Sequence, residues 1–158
     1  MPDMKLDSID LQLIEILQEH GRMKRNRLAE HVKLTIPSVS ERLRKLETNG
    51  VIQGYRTLVE PRKVGLEVTA FIFLTAESSK YYDKIIEKAV SHDEVLECYA
   101  ITGDGSHLLK VRTRSTRTLE RLLSQIQTWP GVSKTRTDIV LSSPKESTAL
   151  PLKYLKDE

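Results

Sequence analysis

Four residues, Lys33-Leu34-Thr35-Ile36, are all that separate two short amphipathic helical segments, and that spacing constrains this chain more than any other feature. Upstream, "NRLAEHVKL" places Leu28, Ala29 and Val32 on one face. Downstream, "PSVSERLRKLETNG" places Val39, Leu43 and Leu46 on one stripe and Pro37, Glu41, Arg44, Lys45 and Thr48 opposite. Thr35 is a candidate N-cap, Pro37 suits a first helical turn, and Asn49-Gly50 supplies a left-handed stop. Two helices joined by a three- or four-residue turn have the helix-turn-helix spacing. A preceding segment, "LDSIDLQLIEILQEHG", reads as another helix, with Asp7 as N-cap, Asp10 in the first turn, Ile9, Leu13, Ile16 and Leu17 at helical spacing, and Gly21 as its stop. After the third helix, "GVIQGYRTLVEP" alternates and is β-rich, with Gly54 at a turn, so a wing or short hairpin is expected there.

The pattern changes from about Glu67. Strand, helix, strand, strand, helix and strand follow in "EVTAFIFLTA", "KYYDKIIEKAVSH", "EVLECYAIT", "SHLLKVRTR", "STRTLERLLSQIQTW" and "GVSKTRTDIVLS". This βαββαβ order is the split-βαβ, ferredoxin-like plan: a four-stranded sheet with both helices on one face. The first strand is apolar on both sides, with Ala70, Ile72 and Leu74 on one and Phe71 and Phe73 on the other. In so small a domain this calls for a second subunit over the helix-free face, hence a homodimer. The overall expectation is an α+β chain: a winged helix-turn-helix domain over 1–54, a wing or hinge linker over 55–66, a ferredoxin-like dimerisation and effector-binding domain over 67–143, and a surface tail over 144–158.

Net charge is only +3, but it is unevenly placed. From His20 to Arg62 there are ten Lys/Arg and four Glu, a balance of +6; from Lys63 onward fourteen basic residues meet thirteen acidic ones. The excess belongs to the helical segment, as a phosphate-binding module requires, although a solvated charged face reads the same by charge alone. The chain has 158 residues, 39% of them hydrophobic and 30% charged, which describes a globular protein. No apolar run approaches a membrane span, the N-terminus lacks the apolar core of a signal peptide, and a cytoplasmic location without membrane partners is expected. The single cysteine, Cys98, cannot form an intramolecular disulfide and is expected as a buried small hydrophobe.

The helix, helix, helix, wing and βαββαβ order, carried by "LDSIDLQLIEILQEHGR", "SVSERLRKLETNGVIQGY", "TGDGSHLLKVR", "WPGVSKTRTDIVL" and "STALPL", resembles the Lrp/AsnC family of transcription regulators, the leucine-responsive and asparagine regulators. The resemblance covers nearly the whole chain. It implies an N-terminal winged helix-turn-helix domain and a C-terminal domain of the type that regulates amino-acid metabolism. It also implies dimers that often assemble into octamers or related rings, and small-molecule effectors, commonly amino acids, bound between C-terminal domains. No cofactor is implied.

The second helix of such a motif enters the major groove with its N-terminal part nearest the base edges, which points here to Pro37, Ser38, Ser40, Glu41 and Arg44 as base readers. Serine hydroxyls donate or accept, glutamate accepts from cytosine, and arginine forks onto guanine. Arg22, Lys24, Arg25, Asn26 and Arg27, at the start of the preceding helix, are candidate phosphate contacts, as are Lys45 and Arg56. For Arg42, closer to the packed stripe, a phosphate contact and a structural role, pairing with a nearby Glu, stand equally. The segment departs from the family pattern, which usually has a polar capping residue near Lys24 and a small residue near Lys33. For an effector, the loop Gly103, Asp104, Gly105, Ser106 and His107 offers glycine amides to a carboxylate, with Thr135 and Thr137 near the dimer edge; a tight β-turn would use the same glycines. Members that bind amino acids usually carry an aromatic residue and an acid where this chain has Gly105 and Ser106, which opens the choice between a different effector and none.

Two other functions stand beside a DNA-binding regulator. Siroheme decarboxylases share the two-domain plan, but the four histidines, at 20, 31, 92 and 107, have no metal or acid–base spacing, so neither catalytic nor metal-binding residues are expected. An architectural DNA-binding protein without an effector would also use the basic charge.

Overall fold

The computed structural model describes residues 5–155. Residues as far as Leu58, together with the tail from Lys145, form one compact unit, and Val59–Pro144 form a second. The first unit holds α1 (Ser8–Glu19), α2 (Arg25–Val32) and α3 (Ile36–Thr48). Their inward faces meet as expected: Leu13, Leu28, Ala29, Val32, Val39, Leu43 and Leu46 make one buried cluster, with Ile9, Ile16 and Leu17 packed against it. Burying each fully enclosed leucine contributes roughly 1.5–3 kcal/mol, which is what holds three short helices that would be marginal alone.

The caps explain the helix boundaries. Asp7 accepts from the backbone N–H groups of Ile9 and Asp10, and Asp10 returns the bond to the Asp7 N–H in a closed capping box. Thr35 caps α3 through the Ser38 N–H. α2 begins at Lys24 with no side-chain cap and ends at Lys33, which is left-handed with φ 55°. At these two positions of α2 the chain lacks the residues a helix end favours, a capping oxygen and a glycine. α1 ends at a His20 cap rather than at a left-handed Gly21.

Of the wing or short hairpin expected after α3, no hairpin is formed among the described residues. The Val51 and Ile52 N–H groups turn back onto the Leu46 carbonyl, and residues 53–60 then run without a strand partner among the described residues. One extended stretch cannot make a hairpin, and a 3-10 turn at Pro61–Val64 ends it. The tail also differs from an independent segment: Leu150 donates its N–H to Gln18 Oε1 and accepts from Gln18 Nε2, which docks it on α1.

In the second unit, β1 (Val68–Ala76), α4 (Tyr82–Val90), β2 (Val95–Ala100), β3 (His107–Thr113), α5 (Thr116–Ile126) and β4 (Val132–Ile139) follow the βαββαβ order. The sheet order is β2-β3-β1-β4, with antiparallel pairing throughout. Ala70, Ile72 and Leu74 of β1 and Leu109 and Val111 of β3 lie fully buried against Ile85, Leu122 and Ile126 of the two helices, beside the single tryptophan, Trp129. Cys98 is free and half-buried on this side, and burial pushes its thiol upward.

The opposite face of the sheet carries no helix. Cross-strand partners point to the same side of a sheet, so the register builds two rows across it. Tyr99, Leu108, Phe73 and Arg136 make one row, and Glu97, Lys110, Phe71 and Asp138 make the other. Lys110 Nζ lies 3.2 Å from Glu97, and the Arg136 guanidinium sits 4.0 Å above the Phe73 ring.

Candidate nucleic-acid interface

The turn between α2 and α3 brings the basic start of one helix beside the N-terminal half of the other. Arg25, the first residue of α2, donates from Nη1 to Ser40 Oγ on α3 at 3.2 Å. Arg22, Lys24, Asn26 and Arg27 are exposed at the same end of α2, where its first N–H groups and the helix dipole attract anions. Arg27 lies 2.9 Å from Glu30, one turn on.

On α3, Pro37 and Ser38 are exposed in the first turn, and Ser40 is half-buried. The Ser38 hydroxyl lies 2.8 Å from Thr35 Oγ1, so it is oriented by the cap. Glu41 and Arg44 meet in a two-point ion pair: Arg44 Nε donates to one carboxylate oxygen at 2.9 Å and Nη2 to the other at 2.8 Å. The Arg44 guanidinium holds the Glu41 carboxyl below its usual range, and the same pair raises Arg44. Lys45 Nζ approaches the same carboxylate at 3.9 Å.

Arg42 has a different place. Its Nη1 donates to both Asp7 and Asp10 at 2.7 Å, and the Asp10 side chain is only 5% exposed. The phosphate expectation for Arg42 therefore gives way to its structural alternative, with the two capping aspartates of α1 as partners rather than a glutamate. The bonds to Asp10 and Asp7 raise the Arg42 guanidinium, while the Asp10 N–H, followed by Arg42, lowers the Asp7 carboxyl. This clamp ties the start of α1 to the middle of α3.

Sequence reasoning missed Tyr55. Its hydroxyl donates to Glu47 Oε1 at 2.9 Å, and burial followed by that carboxylate pushes the phenol up to about 12. Tyr55 thus fastens the segment beyond α3 to the end of that helix, and Arg56 beside it donates weakly to the Tyr55 carbonyl at 3.4 Å. The signal was present only as an aromatic in an alternating run.

The expected effector residues do not form one accessible set. Gly103 and Asp104 are exposed on the β2–β3 loop. Gly105, at φ +126°, donates its N–H to the Gly103 carbonyl, and a Cβ there would stand 2.9 Å from the Leu74 carbonyl oxygen. The Ser106 N–H is spent on that same carbonyl at 2.7 Å. The amides of 105 and 106 thus close the turn against β1, and the turn alternative holds for Gly105. Ser106 is buried, its Oγ accepting from the Ala76 N–H and lying 2.9 Å from His107 Nδ1. His107 is fully buried on the helix side, edge-on to Tyr82, and burial lowers its imidazole. Its Nε2 has no hydrogen-bond partner among the described residues. Both side chains serve the interior. Thr135 and Thr137 are half-buried opposite Leu74 and Ile72, on the helix side as well. Among the described residues, no group of three His, Cys, Asp or Glu side chains could hold a metal ion. Nor is any helix long and apolar enough to cross a membrane.

Comparison with known proteins finds two matching domains. Residues 6–53 match the model of a winged helix-turn-helix DNA-binding domain, and residues 69–150 match that of the Lrp/AsnC ligand binding domain. The HTH-type transcriptional regulator FL11 of Pyrococcus abyssi is 35% identical over 150 residues, 95% of this chain and 99% of that one. The HTH-type transcriptional regulator LrpA of Mycobacterium tuberculosis is 36% identical over 138 residues, 87% and 91% of the two chains. A solved transcriptional regulator from Neisseria meningitidis in complex with L-Met superimposes with a TM-score of 0.90 at 30% identity, covering 95% and 99%. AsnC of E. coli does so with a TM-score of 0.85 at 33% identity, covering 92% and 99%.

Proposed function

Given that the chain belongs to the Lrp/AsnC family of transcriptional regulators, with a DNA-binding and a ligand-binding domain, we propose that it is a sequence-specific regulator that binds duplex DNA as a homodimer or a ring of dimers. The observation that carries the reading is the juxtaposition at Arg25 and Ser40: a cationic α2 N-terminus suited to phosphate beside an α3 face suited to base edges. Arg22, Lys24, Arg25, Asn26 and Arg27 anchor the backbone, with Lys45 and Arg56 as further contacts. Pro37, Ser38, Ser40, Glu41 and Arg44 read bases.

Dimerisation uses the helix-free sheet face. Phe71, Phe73, Leu108 and Tyr99 are too apolar for solvent, and Glu97, Lys110, Arg136 and Asp138 among them allow one copy to complement another. Two α3 helices then face one side of the duplex, and the operator is an imperfect palindrome with half-sites spaced by whole helical turns. A small metabolite such as an amino acid acts by binding one assembly or DNA-bound state better than another, and shifts DNA affinity by that difference. With Ser106, His107 and the Gly105 amide committed to the fold, the candidate effector contacts that stay accessible on this loop are Gly103 and Asp104. The reading makes the chain a binding protein acting in the cytoplasm rather than an enzyme, in line with relatives named as transcriptional regulators.

The test is a footprint on DNA flanking the protein's own gene, titrated at fixed salt and repeated with a panel of amino acids. Protected patches spaced by whole turns, altered by one amino acid, support specific, effector-responsive regulation. Protection without phase, indifferent to every amino acid, would point to an architectural DNA-binding protein instead.

A further inference from the structure

The two-point pair between Glu41 and Arg44 sets opposite charges side by side on the displayed face of α3, where DNA would lie. Residues three and four apart on a helix are surface neighbours, so Glu41, Arg44 and Lys45 form a single cluster. One carboxylate serves both cations, at 2.8 and 2.9 Å to Arg44 and 3.9 Å to Lys45. Two consequences follow from that geometry. The carboxylate occupies the Nε–Nη2 edge of Arg44 and leaves the Nη1–Nη2 edge to an incoming acceptor, but the negative charge of Glu41 beside that edge repels phosphate. A major-groove edge that presents an amino donor beside a guanine, by contrast, satisfies both partners at once: the carboxylate accepts from cytosine N4 while the guanidinium donates to guanine O6 and N7.

We infer that Glu41 and Arg44 act as one reading unit for a guanine beside a cytosine amino group, and that Glu41 is the residue that suppresses binding to random DNA. The unit rests on the proposal that the chain binds duplex DNA specifically. It divides labour along the interface: α2 contributes sequence-independent affinity through phosphates, and α3 gives up part of its own to discriminate.

The experiment uses the full chain, a duplex selected by the wild-type protein from a random pool, and a random-sequence duplex of equal length. Glu41→Gln, Arg44→Ala and the double variant are compared across a salt series. Glu41 and Arg44 are exposed, and the helical circular dichroism of each variant checks that α3 is intact. Glu41→Gln is expected to bind the random duplex more tightly, with a salt slope steeper by about one unit as Arg44 turns to phosphate. Its ratio of selected to random affinity is expected to fall roughly 5- to 150-fold, as for loss of one good base contact. In the Arg44→Ala background the same change is expected to have little further effect on that ratio. Unchanged random-duplex affinity and salt slope would overturn the inference, and so would losses that multiply independently in the double variant. A wild-type protein that shows no preference for any selected duplex would instead remove the specific-regulator reading itself. A retained wild-type preference with a neutral Glu41→Gln removes only the paired unit.

Discussion

Replacing Arg42 with methionine separates the two roles that position could have played. Methionine keeps most of the aliphatic stem against the stripe of α3 but takes away the guanidinium that bridges Asp7 and Asp10 at 2.7 Å. The Asp10 carboxylate is 5% exposed, and losing a charge-assisted bond at such a site costs about 1.5–3 kcal/mol. The Asp7 side chain is 51% exposed, and its share is screened to about 0–1 kcal/mol. Asp10 keeps its bond to the Asp7 N–H, and the expected total is about 1.5–4 kcal/mol from the helical unit. Trp129 is the only tryptophan and lies buried in the sheet unit, so its fluorescence reports that unit while helical circular dichroism reports both. Arg42→Met should advance the denaturant midpoint of the dichroism transition and leave the tryptophan transition in place. The sign with pH follows from Asp7: its carboxyl is lowered in the fold, so the contribution is present above pH 3.8 and is lost as pH falls through the folded value. The Arg42→Met penalty should therefore shrink in strong acid. A cost below about 0.5 kcal/mol, together with a DNA-binding salt slope reduced by about one unit, would refute the clamp and return Arg42 to a phosphate.

Other outcomes are expected in the sheet unit. His107 is held neutral by burial, so below its ordinary value of 6.5 the unfolded chain takes up a proton more readily than the fold does. Stability read by Trp129 should therefore fall as pH drops below about 6.5, and His107→Leu should flatten that dependence; an unchanged slope would show that the imidazole is not the group responsible. Gly105→Ala should cost about 1–3 kcal/mol, because φ +126° is a region for glycine and the new Cβ meets the Leu74 carbonyl; a neutral result in the same unfolding assay would show that the turn relaxes freely. Phe73→Lys should give monomers by light scattering while the helical dichroism is kept, since it sets a charge in the middle of the proposed dimer face beside Arg136; an intact dimer would place the interface elsewhere.

Most of the architecture was legible from local rules. Capping residues, apolar stripes at helical spacing and period-two strands depend on neighbours within a few positions, so Asp7, Thr35, the stripe of Val39, Leu43 and Leu46, and the βαββαβ order could all be read from the chain. The alternation of β1 likewise told which residues face the helices and which the open side. The same local logic misled where pairing needs a distant partner: "GVIQGYRTLVEP" has strand composition, but no second strand among the described residues meets it.

What the tertiary structure alone decided is how the polar side chains are spent. For Arg42 a phosphate contact and a structural role stood level in the sequence, and it is the fold that brings Asp7 and Asp10 within 2.7 Å of it. Ser106 and His107 looked like loop groups open to a ligand until β3 turned them toward the interior. Gln18 and Leu150 meet 132 residues apart in the chain. Periodicity fixes the side of an element a residue occupies, because that depends only on backbone geometry. Whether its charge or hydroxyl is free for DNA or an effector depends on which partner arrives from elsewhere in the chain, and only the folded packing determines that.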